Sequence, residues 1–292
     1  MAMIEMMLEI LDSSQTLSGL SDRLQPAMNA AFEKAGDQGR RFKDALHGTW
    51  LGHPLHPVLV DVPIGAWTAA VFLDAAAIVS GRKKLRSAAD ACIALGLVGA
   101  VGSAITGWTD WSRVGGRGRQ IGVVHAVLNI SATALFAAAL TLRRARHRKT
   151  GGAATLLGYG LALAGAYLGG DLVFDKTFGV NHAADGRELS QDFVPVMAAA
   201  DLPEGELRRA CADGAPIVLV RRGETIVALY EKCSHLGGPL ADGKIEGDCI
   251  RCPWHGSCFA LDDGRVVEGP ATFSQPFYET RVKDGQVEIR RV

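Results

Sequence analysis

Four apolar runs of 22 residues each, at 58–79, 88–109, 121–142 and 153–174, constrain this chain more than any other feature. Asp61 and Asp74 interrupt the first, Asp90 the second, His125 the third and Asp171 the fourth, with no other ionisable acid, base or histidine inside them. A helix needs about 20 residues to cross the hydrocarbon core of a bilayer, so each run is of spanning length. One such run could be buried in a soluble helix bundle, but four in succession favour a membrane-embedded four-helix bundle. Gly99, Ser103 and Gly107 recur every four residues, as do Gly165 and Gly169. Small residues at that spacing let helix backbones approach closely in lipid.

Short connections at 80–87, 110–120 and 143–152 imply an up-down-up-down arrangement. The first and third hold nine bases within 18 residues: Arg82, Lys83, Lys84, Arg86, Arg143, Arg144, Arg146, Arg148 and Lys149. The opposite face shows eight, more thinly spread: Arg40, Arg41, Lys43, Arg113, Arg117, Arg119, Lys176 and Arg187. Basic loops face the cytoplasm, which places both chain termini outside. Asp74 and Asp90 fall toward the cytoplasmic end, where hydrogen bonds within the bundle or pairing with Arg82 and Arg86 are expected. In residues 1–47, Leu17, Leu20, Leu24, Met28 and Ala31 trace a helical stripe, read as an amphipathic helix on the bundle or membrane surface. Met1 to Leu11 carries Glu5 and Glu9 but no base, so no cleavable leader is expected there.

Net charge is zero, from 31 Lys+Arg against 31 Asp+Glu, but residues 1–180 hold 18 bases and 13 acids while 181–292 hold 13 and 18. Opposed halves suggest two modules. No basic stripe interleaved with aromatics is present, which excludes nucleic acid as the expected partner. Of six cysteines, Cys92 and Cys211 stand apart, while Cys233, Cys249, Cys252 and Cys258 fall within 26 residues, a grouping that suits metal or redox chemistry.

That grouping contains Cys233-x-His235 and, after a 16-residue spacer, Cys252-x-x-His255. Two short Cys/His pairs suit a binuclear cluster with two thiolates on one iron and two imidazoles on the other; neutral nitrogens raise the potential above that of an all-cysteine site. Gly237, Gly238 and Gly256 let backbone N–H groups approach the sulfides. Turn residues at Asp242-Gly243 and Gly247-Asp248 predict strands between the two loops. A zinc site built from the same four side chains is the competing reading.

HLGGPL, CPWHGS and the trailing Gly269-Pro270-Ala271 resemble the Rieske [2Fe-2S] family over residues 192–292. The resemblance implies an all-β domain whose cluster is held by Cys233, His235, Cys252 and His255, with a proline loop covering it. It is closest to the ferredoxin-like branch: where the cytochrome bc branch has two further cysteines joined in a disulfide, this chain has Gly238 and Trp254. Ser257 matches a serine that donates to the cluster in that branch, and Phe259 replaces its tyrosine, which lowers the expected potential. Cys249 and Cys258 are expected as buried free thiols, a disulfide between them being the alternative. Only 37 residues follow His255, so the expectation is an electron carrier without a mononuclear oxygenase iron.

GHPLHPVLVDVPIG precedes and opens the first run, and His125 with Asn129 lies in the third. These residues resemble an uncharacterised family of bacterial four-helix membrane domains (DUF2231-like) marked by an HPxHP motif, covering about 48–182. In an alternating bundle His53, His56, Asp61, Trp108, Asp110, Trp111, His125, Asp171 and His182 gather toward the face bearing the C-terminal domain. Ionisable groups in membrane segments are costly and so become functional candidates. His53, His56 and His125 could hold haem b; His125 and Asp61 could form a quinone site; or Pro54 and Pro57 could shape the start of the helix while the histidines cap it.

The sequence therefore reads as a multidomain protein: a helical segment at 1–47, an α-helical membrane bundle at 48–182, a linker at 183–191 and an all-β Rieske domain at 192–292. One-electron transfer at a bacterial inner membrane is expected, with the Rieske domain outside the cytoplasm and an unknown donor and acceptor. The alternative is a redox sensor whose cluster state alters the bundle or a partner.

Overall fold

The computed structural model describes residues 14–115 and 118–292. The reading of Met1 to Leu11 and the loop base Arg117 lie outside the described residues. Two compact bodies divide the chain: Met1–Lys34 with Leu55–Phe178, and Ala35–Pro54 with Gly179–Val292. This partition differs from the sequence boundaries at both junctions, because residues 35–54 make their contacts with the β-rich body.

The first body comprises α1 (Gln15–Lys34), α3 (Leu55–Ser80), α4 (Lys83–Trp111), α5 (Gly118–Arg144) and α6 (Arg148–Phe174), and α2 (Gly36–His47) belongs to the second. Among the described residues, α3 to α6 are the four helices long and apolar enough to cross a membrane, at 26 to 29 residues. That is roughly 40 Å at 1.5 Å per residue, longer than the hydrocarbon core of about 30 Å. The glycines act as seats for neighbouring side chains. A Cβ on Gly96 would fall 2.2 Å from Trp67 Nε1, and one on Gly99 would fall 2.7 Å from Val62 Cγ1. Seated there, Trp67 stacks on Phe136 at 4.1 Å between ring centres, tying α3 to α5.

The α1 stripe is rotated from the sequence expectation. Leu17 and Met28 pack with Trp111, Val114 and Val123, but Leu20 and Leu24 are exposed while Ser21 and Gln25 are buried. The reason is polar: carbonyls at a helix end lack intrahelical donors, and Gln25 Nε2 donates to the Trp111 oxygen at the end of α4 at 2.7 Å and to the Val114 oxygen beyond it at 2.9 Å.

Asp74 and Asp90 do hydrogen-bond within the bundle, but their cations are Arg143 and Arg148, not Arg82 and Arg86. Arg143, with 1% of its side chain exposed, pairs with Asp74 and with Asp90 at 3.0 Å, and Arg148 pairs with Asp90 at 2.9 Å. Arg82 and Arg86 are exposed around the start of α4, whereas Arg143 is buried at the end of α5.

Among the described residues of the second body, ten strands form two antiparallel sheets: β1 (Val194–Ala198), β2 (Leu207–Ala212), β3 (Ala215–Arg222), β4 (Thr225–Tyr230), β5 (Lys244–Glu246), β6 (Cys249–Arg251), β7 (Cys258–Ala260), β8 (Val266–Glu268), β9 (Phe277–Lys283) and β10 (Gln286–Arg291). The orders are β1-β10-β9-β4-β3-β2 and β5-β6-β7-β8. Side chains alternate across a strand, so Ile217 and Leu219 of β3 join Tyr278, Val287 and Ile289 in one core, and Val218 and Val220 join Ile250, Phe259 and Leu261 in another. Gly247-Asp248 turns β5 into β6, pairing Glu246 with Cys249, as the turn signal predicted.

Candidate metal centre

Two loops of the second core carry the Cys/His pairs, one after β4 and one between β6 and β7. They close in the same way. Cys233 N–H donates to the Gly238 oxygen at 2.8 Å and Gly237 N–H returns to the Cys233 oxygen at 2.8 Å; Cys252 N–H donates to the Ser257 oxygen at 2.8 Å and Gly256 N–H to the Cys252 oxygen at 3.1 Å. Gly237 and Gly256 occupy equivalent left-handed positions, at φ 74° and 81°, which an L side chain rarely adopts.

The ends of the pairs differ in exposure. Cys233 and Cys252 are buried, at 1% and 3%, whereas His235 and His255 are partly exposed with ring centres 5.0 Å apart. The hydrogen bond between the two sulfurs, with burial, raises the Cys233 pKa well above the usual thiol value. The same bond, aided by the Trp254 and His255 N–H groups, draws Cys252 down to about 7. The His235 and Leu236 N–H groups point at Cys233 in the equivalent way. A Cβ on Gly238 would lie 2.9 Å from Cys252 Sγ and 3.1 Å from the Trp254 ring, so only glycine leaves the sulfur pair its cradle.

Thiols pair with thiols and imidazoles with imidazoles, and among the described residues no three such groups gather about one point. Two imidazoles at tetrahedral positions on one metal, each bonded at about 2.0–2.1 Å, have ring centres roughly 5 Å apart. The arrangement fits a two-iron cluster in which Cys233 and Cys252 can hold an inner iron and His235 and His255 an outer one.

Apart from Ser257, the residues that support these loops carried no sequence signal. Gln275, 2% exposed, accepts the Ser234 N–H at 3.1 Å and donates to the Tyr230 and Lys232 oxygens, each at 2.6 Å. Ser234 Oγ donates to the Phe273 oxygen at 2.6 Å, and Ser257 Oγ accepts the Ala271 N–H at 3.0 Å, so both cysteine loops are tied to the proline loop. Arg251 holds the Gly256 oxygen at 2.6 Å while pairing with Glu246 and Glu268. The proline loop is also held by α2: Gly269 N–H donates to Asp44 at 2.9 Å, and burial raises the Asp44 carboxyl pKa despite that bond.

Cys249 and Cys258 form a disulfide, which corrects the expectation of free thiols. They lie on adjacent antiparallel strands, where Cys249 faces Ala260 and Cys258 faces Arg251, a diagonal that brings the Cα atoms to 5.8 Å. In sequence the register was not yet fixed, so this proximity was hidden.

The other candidate residues separate. His56 and His125 meet in the first body with ring centres 6.4 Å apart. His53 belongs to the second body, where its ring lies 6.2 Å from that of Phe273. Asp61 is exposed on α3, and five residues beyond His56 it lies about 140° around the helix.

The sheets and paired loops define an electron-transfer domain of the Rieske ferredoxin type. Residues 192–279 match the Rieske [2Fe-2S] domain, and residues 52–182 match a family described as Predicted membrane protein (DUF2231). The chain belongs to the Rieske [2Fe-2S] family through its C-terminal part. It is 33% identical over 102 residues to ferredoxin CarAc of Metapseudomonas resinovorans, covering 35% of this chain and 95% of that protein. It is 32% identical over 95 residues to the anthranilate 1,2-dioxygenase ferredoxin subunit of Burkholderia cepacia, covering 32% and 88%. A solved complex of reduced oxygenase and oxidized ferredoxin in carbazole 1,9a-dioxygenase is similar at 33% identity over 35% of this chain and 94% of that chain, with a TM-score of 0.33.

The site sets an expected potential. Gly238 faces Trp254 where the other branch has its disulfide, and Phe259 is fully buried with no hydroxyl to donate. The midpoint should fall in the lower half of the Rieske range of about −150 to +300 mV. A redox titration centred above roughly +200 mV would contradict the branch assignment.

Proposed function

We propose that the protein is a membrane-anchored Rieske iron-sulfur protein that moves electrons one at a time between a cluster held by Cys233, His235, Cys252 and His255 and a redox group in the four-helix bundle, haem or quinone. The observation that carries the second half is the His56 and His125 pair, two imidazoles 6.4 Å apart on helices of spanning length. Side chains of that kind are costly within a bilayer and are kept there for a function. The carrier role is taken from relatives named as ferredoxins, one of them a dioxygenase subunit; a group in the membrane takes the place of the oxygenase.

Two arguments support a cluster domain outside the cytoplasm. The bases of 80–87 and 143–152 favour those connections as the inner face. The Cys249–Cys258 disulfide suits an oxidising compartment, since cytosolic thiols are kept reduced.

The test is electron exchange in detergent-solubilised full-length protein, with duroquinol as reductant and the cluster followed by its visible bleaching. Wild type should be reduced rapidly, and His125→Ala should slow reduction while leaving cluster iron unchanged. Equal rates would leave the bundle as an anchor only, and a redox-linked change in protein binding without turnover would favour a sensor.

A further inference from the structure

His56 and His125 sit in two copies of one local device. On α3, His56 Nδ1 lies 2.8 Å from the Ser103 oxygen of α4, and its Cε1 occupies the space a Cβ on Gly107 would fill, at 2.7 Å. On α5, His125 Nδ1 lies 2.8 Å from the Gly165 oxygen of α6, and its Cε1 occupies the space over Gly169, at 3.1 Å. In each helix pair the carbonyl at one position fixes Nδ1, and a glycine four residues later makes room for the ring. The repeating small residues of α4 and α6 thus serve as matched imidazole seats.

The hydrogen bonds also fix the chemistry that each ring presents. A carbonyl oxygen can only accept, so Nδ1 carries the proton in both rings, and each neutral imidazole keeps a lone pair on Nε2, which in His125 lies 3.4 Å from Asn129 Nδ2. Metal-bound histidines are held in this way, with the far N–H donated to a carbonyl. A quinone carbonyl needs a donor, which Nε2 of this tautomer cannot supply, whereas a quinol hydroxyl could donate to it, so the choice of haem rests on the spacing of the two rings.

Distance selects the kind of metal site. With metal–nitrogen bonds of about 2.0–2.1 Å, two imidazoles on opposite sides of one metal have ring centres roughly 6.4 Å apart, against roughly 5 Å at tetrahedral positions. The His56–His125 separation is 6.4 Å and the His235–His255 separation is 5.0 Å, so the same chain displays both spacings. Among the described residues no third His, Cys, Asp or Glu joins the His56–His125 pair at a metal position. Two imidazoles at that spacing, with no third such ligand beside them among the described residues, suit a metal whose remaining positions are filled by a macrocycle.

We infer that His56 and His125 are the two axial ligands of an iron porphyrin held between α3 and α5. This rests on the proposed carrier role and chooses haem over quinone as the bundle's group. His53 and Asp61 take no part in the ligation. Gly107, Gly169 and the Ser103 and Gly165 carbonyls are positioning groups, acting through the ring each one seats.

The experiment uses full-length protein expressed with a haem precursor, purified in detergent, and titrated with hemin if haem is substoichiometric. Optical spectra, pyridine haemochrome and cluster EPR are taken on one sample. A six-coordinate low-spin spectrum at about one haem per chain is expected. His56→Ala and His125→Ala should each leave less than about a tenth of the wild-type haem, with helical circular dichroism and monodisperse elution unchanged as the sign of a folded bundle and the cluster signal unchanged as the sign of an intact second body. His125→Met, which keeps a ligand, should retain haem with a shifted spectrum. Gly107→Val, which pushes on the His56 ring, should lower occupancy. A fully loaded cluster with no haem after titration would overturn the inference, as would wild-type haem in both alanine variants. Neither result would bear on duroquinol reduction of the cluster, which tests the carrier role separately.

Discussion

Dithionite-reduced protein should give the rhombic EPR signal of a histidine-ligated [2Fe-2S] cluster, and Cys252→Ser should abolish it. The effect is expected to be complete because Cys252 is buried beside Cys233, with the Trp254 and His255 N–H groups directed at its sulfur. A serine oxygen at that point is a harder and far less acidic ligand than a thiolate. His255→Cys asks a different question, since it adds a negative charge to the outer, half-exposed side. A cluster that assembles there should shift from the Rieske range toward the value of about −400 mV typical of all-cysteine plant-type ferredoxins. The bundle should remain folded in both variants, because the four long helices belong to the other compact body. Stoichiometric zinc with no iron in wild-type protein would sink the cluster assignment.

How much of this was legible depended on whether local spacing or tertiary register carried the information. The paired Cys/His loops were readable because what shapes them lies within a few residues of chain: Cys233 to His235, Cys252 to His255, and the glycines that turn each loop back on its cysteine. The helices were readable because length and apolarity alone define them. The Cys249–Cys258 disulfide was not, because it depends on how β6 registers against β7. Nor was the role of Gln275, which binds three backbone groups of the first ligand loop from a distant segment. Asp44 was hidden for the same reason, since its partner Gly269 lies 225 residues away in sequence. The HPxHP motif shows the limit most clearly. Its histidines looked equivalent in sequence, yet His56 faces His125 in one body and His53 faces Phe273 in the other.

Arg143 shows how a charge can be misread when its surroundings are unknown. In sequence it is one of several bases in a connection, but in the structure it is buried at the end of α5 among groups from three other helices. It donates to Asp74 of α3, to Asp90 of α4 at 3.0 Å and to Thr155 of α6 at 2.8 Å. Gly151 leaves room for it, since a Cβ there would fall 2.7 Å from Arg143 Cγ. Arg143→Met keeps much of the apolar volume while removing the donors. Asp90 retains Arg148, at 2.9 and 3.0 Å, so Asp74 is the carboxylate left without its cation. Breaking a buried pair from one side costs about 3–5 kcal/mol, more than removing both partners together. Arg143→Met should therefore lower the midpoint of thermal unfolding in detergent by roughly 10 °C, and Arg143→Met with Asp74→Asn should recover much of that loss. The cluster EPR signal should be unchanged in both variants. If the single variant melts with wild type, the network contributes little to stability; if the double variant melts below the single, the cost does not come from an uncompensated Asp74.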